Sequence, residues 1–196
     1  QTSNNLVNAT AAQAIFLDFT SKVSGLTING NSLLSSATGA IHVVCGHDME
    51  SLGISSNVIH KVTSGRAISV DITGVGTNLV VSGNAVLATV SGIYIATGSH
   101  LNLLSMTGNN ISVSSAAGDG LNLQITGTPS YSSFVSNNVT QAGAGRTLTW
   151  AWGGAPATCG CTGNTSDGVV GTDGWGAALG AGDFCQLFGV GVNNFN

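Results

Sequence analysis

Apolar and polar residues alternate with a period of two along most of this chain. Ala67-Ile68-Ser69-Val70-Asp71-Ile72 and Leu121-Asn122-Leu123-Gln124-Ile125 alternate cleanly, as strands with one buried face do. Similar segments occur at residues 14–19, 41–45, 78–81, 85–90, 93–96, 101–104 and 110–113. Short turns such as Ser82-Gly83-Asn84 and Thr107-Gly108-Asn109 separate them, and their glycines supply positive φ where a turn needs it. Strand follows strand at about 7 to 11 residues, the spacing of an all-β sandwich or barrel. The expected fold is an antiparallel β-sandwich or jelly roll. The alternative is a parallel β-solenoid with Asn, Ser and Thr on its exterior. The drifting intervals between successive strands weigh against the solenoid, and the turns are short enough to close hairpins.

The chain divides into three parts. Residues 1–20 form an N-terminal apolar arm or first strand, and residues 21–152 form the sandwich body. Residues 153–196 form a Gly-rich, disulfide-braced region with a final strand. Residues 47–65 interrupt the alternation, and Met49-Glu50-Ser51-Leu52-Gly53 reads as a loop or one helical turn.

Composition narrows the function. The chain has 196 residues with four Lys/Arg and eight Asp/Glu, a net charge of −4. Charged residues are 6%, against roughly 25% in an ordinary domain, while Gly, Ser, Thr and Asn fill 90 positions. No basic patch exists to neutralise phosphates, which argues against nucleic-acid binding. No apolar run reaches the length of a membrane-spanning helix. The start, Gln1-Thr2-Ser3-Asn4-Asn5, lacks a signal peptide's basic and apolar regions and reads as a processed, mature chain.

Four cysteines, Cys45, Cys159, Cys161 and Cys185, read as two disulfides in an extracellular protein. A Cys159–Cys161 bridge would close a strained ring, so Cys45 is expected to join Cys159 or Cys161, and Cys185 the other. Asn8, Asn110, Asn138 and Asn164 head N-x-S/T sequons, at about the frequency chance supplies. They permit glycosylation without indicating it.

Candidate chemistry is sparse. His42, Cys45, His47, Asp48, Glu50 and His60 are the densest polar group, but His42 and Cys45 fall on opposite strand faces, so a loop is favoured over a metal site. Asp167, Asp173 and Asp183 lack a calcium-loop spacing. No nucleophile elbow or marked carboxylate pair is present, so no enzyme activity, metal or cofactor is expected. Trp150, Trp152 and Trp175 suit core or interface packing better than sugar stacking.

The functional expectation is a non-enzymatic structural subunit of an extracellular assembly: a filament, coat or surface layer at a cell or particle surface. Mean hydropathy is +0.34, and so little charge does little to keep copies apart. The expected partners are copies of itself, joined by strand addition through an arm carrying Leu6, Ile15, Phe16, Leu17 and Phe19. The alternative is a secreted glycan-binding module or adhesin.

Overall fold

A computed structural model describes residues 1–35, 38–115, 117–142, 146–153, 158–166, 169–172 and 194–195. The chain winds in coils of three strands. The first coil holds β1 (Thr2–Ser3), β2 (Leu6–Ala9) and β3 (Ile15–Phe19), and the second β4 (Leu26–Asn29), β5 (Ser32–Ser35) and β6 (Gly39–Cys45). The third holds β7 (Leu52–Ser55), β8 (Val58–Val62) and β9 (Arg66–Ile72); the fourth β10 (Leu79–Ser82), β11 (Ala85–Ala88) and β12 (Ser91–Thr97). The fifth holds β13 (Leu101–Thr107), β14 (Asn110–Val113) and β15 (Asp119–Ile125), and the sixth β16 (Pro129–Val135), β17 (Asn138–Gln141) and β18 (Arg146–Trp152). A seventh, β19 (Thr158–Thr162), β20 (Thr165–Ser166) and β21 (Val169–Thr172), continues the stack past residue 152, and β22 (Asn194–Phe195) adds to it.

Each strand pairs in parallel with the strand three places along, which builds three sheets. Sheet A runs from β1 to β19, sheet B from β2 to β22, and sheet C from β3 to β21. The fold is therefore all-β, as expected, but it is the parallel solenoid and not the antiparallel sandwich. The physical reason lies in the corners. Seven residues between sheets A and B take a left-handed conformation: Asn4, Gly30, Ser56, Gly83, Gly108, Ser136 and Gly163, with φ from 53° to 66°. One such residue followed by an extended Asn redirects the chain onto the next face. It does not fold the chain back on itself, as a hairpin with paired positive-φ residues would.

Behind these corners runs a column of asparagines. Asn31, Asn57, Asn84, Asn109, Asn137 and Asn164 are all buried. Each Nδ2 from Asn5 to Asn137 donates to the Oδ1 of the next Asn in the column at 2.8–3.0 Å. The sequence intervals are 26, 26, 27, 25, 28 and 27 residues. A second Nδ2 hydrogen of Asn57, Asn84, Asn109 and Asn137 goes to a carbonyl of the preceding coil, such as Ile28 O at 3.1 Å. This leaves no lone amide in an apolar interior, where an unpaired one would be costly.

The core is a set of like-on-like columns. In sheet A, Leu26, Leu52, Leu79 and Leu104 stack in register, as do Ile28, Ile54, Val81, Met106 and Phe134. Ile41, Ile68, Ile93 and Leu121 stack in sheet C. All are buried. Their parity sends the intervening residues outward. Residues 47–65 contain no helical turn. Met49 is buried and bridges Val23 and Gly76 in parallel at the C-to-A corner, after which β7 and β8 resume the winding.

Candidate functional site

The proposed arm residues lie within the first coil. Leu6 is on β2, paired with Ser32, while Ile15, Phe16, Leu17 and Phe19 are on β3, paired with Ile41, His42, Val43 and Cys45. Ile15, Leu17 and Phe19 pack on the core, whereas Phe16 is 51% exposed on the outer face of sheet C.

Cys45 is a free, buried thiol, its Sγ 3.6 Å from both Ser21 O and Asp48 O. The expected bridge from Cys45 to Cys159 or Cys161 is corrected by the winding. Cys45 sits in the second coil and the other two on β19 in the seventh. Five rungs separate them by about 24 Å, whereas a disulfide needs Cα atoms within about 7 Å. Cys159 and Cys161 are in register with Ser132 and Phe134; Cys185 lies outside the described residues.

The tryptophans divide similarly. Trp152 is 6% exposed within the core, in register with Ile125, and so has no free face for a sugar. Trp150 is in register with Leu123, and Trp175 lies outside the described residues. Of the sequon asparagines, Asn8, Asn110 and Asn138 are exposed. Asn164 is a ladder rung whose Nδ2 donates to Phe134 O at 2.8 Å, so a glycosyl transferase has no access to it in the folded chain.

The His/Cys/carboxylate group does not converge. His42 is outside sheet C, Cys45 is inside, and His60 is outside sheet B, 2.7 Å from Ser32 Oγ. Glu50 pairs with Lys22 at 2.5 Å, and Asp48 accepts the Val75 amide at 2.8 Å. No group of three or more metal-ligating side chains forms among the described residues. Asp167, Asp173 and Asp183 lie outside them.

Two outer faces carry organised side chains, only some of which, such as Leu6, His42 and His60, the sequence alone singled out. On sheet B, Leu6, Leu34, Val58 and Leu87 are 83%, 36%, 43% and 48% exposed and fall in the first four coils. A shallow depression of about 300 Å³ lies beside Val58 and Leu87, lined also by His60, Ala85, Asn110 and Ser112. An extra residue at His60-Lys61 bulges β8 there.

On sheet C the outward groups hold one another. Asp71 Oδ2 is 3.0 Å from His42 Nε2 and 2.9 Å from Ser69 Oγ. A carboxylate only accepts, so Nε2 carries the hydrogen, which leaves Nδ1 to accept from Gln13 Nε2 at 3.3 Å. Ser69 donates to Asp71 and not to His42, and it is 5% exposed. The trio therefore lacks the nucleophile-to-imidazole contact of a serine triad. The Arg66 guanidinium lies 3.3 Å from the centroid of the Tyr94 ring, in cation–π contact. Further along, Gln124 Nε2 donates to Asn122 Oδ1, Asn122 Nδ2 donates to Asp119 Oδ2, and Thr149 Oγ1 donates to Asp119 Oδ1, at 2.8–3.0 Å.

These features define the class: a three-sheet parallel β-solenoid with an internal asparagine ladder. Comparison of the chain with protein-family models, with curated proteins and with solved structures finds no match, so the functional reading rests on the geometry.

Proposed function

We propose that this chain is a structural subunit of an extracellular assembly, and that its copies associate side by side through the outer face of sheet B. The apolar stripe of Leu6, Leu34, Val58 and Leu87 carries this reading. Exposed apolar residues gathered on one face mark interaction surfaces, and these four follow one another diagonally from coil to coil, alternating with Ser32, Asn8 and the His60–Lys61 bulge. The described outward side chains of this face include no carboxylate, and a self-complementary patch suits a two-fold contact. Burying each half-exposed Leu or Val returns about 1 kcal/mol, little against the cost of association. The four side chains act together: a two-fold contact through this one face pairs two copies, and an extended assembly adds a second contact between pairs. Strand addition through residues 6–19 would require β2 and β3 to leave β5 and β6, whereas the sheet B face is available with the coil intact.

Sedimentation velocity tests the reading. The native chain is expected to sediment as a concentration-dependent assembly, and the Leu34→Lys/Leu87→Lys double variant as a folded monomer. A native chain that stays monomeric at its highest soluble concentration overturns the proposal.

A further inference from the structure

We propose that the first coil ends in a socket for an asparagine-bearing strand, and that the strand it takes is Asn193-Asn194-Phe195 of a second copy, which joins copies end to end. Growth beyond a pair rests on the sheet B pairing above, whereas the socket itself does not. The boundaries between coils show how such a socket works. Asn5, Asn31, Asn57, Asn84 and Asn109 each make the same three bonds to the coil that follows. The main-chain N–H and Nδ2 both donate to the next ladder Oδ1, and the C=O accepts the N–H of the residue after that Asn. The receiving pair is thus an Asn Oδ1 and the N–H beside it, as at Asn31 and Ser32. In the first coil that pair is Asn5 Oδ1 and the Leu6 N–H, and among the described residues neither has a partner. Both residues are exposed.

The rest of this end is open as well. β1, β2 and β3 are the outermost strands of their sheets, and no Lys or Pro in them guards the edge. Val7, Leu17 and Phe19 begin core columns and are only partly buried, while Leu33, Val43 and Cys45 behind them are 0% exposed. A solenoid's end coil needs a polar cap to stay apart from other copies, and this one presents an apolar cross-section. The pattern that fits it is the one each coil already uses, Asn-x-apolar, as in Asn31-Ser32-Leu33 and Asn57-Val58-Ile59. The Asn meets the polar pair, and the third residue stacks in the column that starts at Val7. The pattern recurs at Asn193-Asn194-Phe195. Its last two residues form β22, at the opposite end of sheet B, and Phe195 is in register with Ser166 in that same column. A second copy thus offers the bonds that one coil makes with the next, and β2 stays in its own coil while it receives them. The contact is heterologous, so it propagates along the axis without closing. One junction is small, but two copies paired through sheet B carry two sockets and two tails, and the junctions between pairs act together.

Amide exchange in the Leu34→Lys/Leu87→Lys chain, which lacks the sheet B contact, reads the socket alone. A synthetic peptide of residues 189–196, added at millimolar concentration, is expected to slow exchange of the Leu6 N–H. The same peptide carrying Asn193→Ala is expected to bind about tenfold more weakly, because the side-chain bond is lost. Sedimentation of the full chain reads the junction in the assembly. By strand alternation the Asn8 N–H faces the open edge, so Asn8→Pro removes no bond within the chain. Asn8→Pro and Phe195→Lys are each expected to stop assembly at pairs, and a mixture of the two to regain larger species, since one keeps its tail and the other its socket. Leu6 exchange that the native peptide leaves unchanged overturns the inference, as does either variant growing beyond pairs by itself. A native chain that stays monomeric while the peptide protects Leu6 overturns the sheet B pairing and leaves the socket. A native chain that pairs while the peptide does nothing overturns the socket and leaves the pairing.

Discussion

Asn57 Nδ2 lies 3.0 Å from Asn84 Oδ1 one coil further along, while its own Oδ1 accepts from both the main-chain N and the Nδ2 of Asn31. The side chain is 0% exposed, so every partner it leaves is stranded. Asn57→Ala is expected to destabilise the chain by about 3 kcal/mol or more, because several buried groups at about 1–3 kcal/mol each lose a partner. Asn57→Asp keeps the acceptors but brings a buried charge that disfavours its own ionisation. Its carboxyl pKa rises on folding, so the variant is expected to be more stable at low pH than at neutral pH. Urea denaturation of both variants at two pH values checks the order and the sign.

Ser56 and Ser136 occupy the left-handed corner position that Gly30, Gly83, Gly108 and Gly163 also fill. A side chain pays about 1 kcal/mol or more for that conformation, and glycine pays little. Ser56→Gly is expected to stabilise by about 0.5 kcal/mol after the unfolded chain's added entropy is counted. Gly118→Ala is the opposite case, because a Cβ there would collide with the Val90 carbonyl oxygen of the neighbouring coil. It is expected to lower the melting temperature sharply, and calorimetry of the two variants separates strain from clash.

Ser132 follows Leu26, Leu52, Leu79 and Leu104 in one core column, and its buried Oγ has no hydrogen-bond partner. An unpaired buried hydroxyl costs about 1–3 kcal/mol. Ser132→Ala is expected to raise the denaturation midpoint, and a lower midpoint would show that the hydroxyl is satisfied in solution.

Lys22 and Glu50 form an exposed ion pair. Hydrogen bonding from Lys22, then from Ser24, with the Lys22 charge, holds the Glu50 carboxyl below its ordinary value. Hydrogen bonding and charge from Glu50 raise Lys22. The Glu50 contribution is present above the ordinary carboxylate range and is lost as pH falls through the lowered value. The Lys22 contribution is present below the ordinary lysine value and is lost as pH rises through the raised one. Both groups are solvated, so the effect on stability is small. NMR titration is expected to show a low Glu50 midpoint that Lys22→Ala moves upward, with no resolvable change in melting temperature at neutral pH.

The strands were legible because alternation reports a buried face directly, as in residues 67–72 and 121–125. Their pairing was not, because parallel and antiparallel sheets leave the same alternation. Intervals between successive strands drift because the three corners differ in length: two residues separate β4 from β5, but six separate β6 from β7. The repeat appears only when every third strand is compared. Its marker was visible as an Asn behind Gly or Ser at Asn31, Asn57, Asn84, Asn109, Asn137 and Asn164. Read singly, Gly83-Asn84 resembled a hairpin turn and Asn164 a glycan acceptor. The outer faces were hidden for the same reason. Phe16 and His42 are distant in sequence and become neighbours only once the coil length is known. Leu34 and Leu87 were indistinguishable from core residues until the winding placed them outside.

The asparagine corner makes the length of this molecule a whole-number quantity. Excising residues 57–83 joins Ser56 to Asn84, a left-handed residue to a ladder rung, and removes one full turn of the chain. Leu52 then meets Leu104, Ile54 meets Met106, and Ile41 meets Ile93, so each hydrophobic column closes over the gap with a residue of its own kind. A cut that does not run from one ladder asparagine to the residue before another leaves the amide column out of phase. A genetic change that respects this unit yields a shorter rod, and one that ignores it yields an unfolded chain, so the rod can grow or shrink in evolution one complete turn at a time.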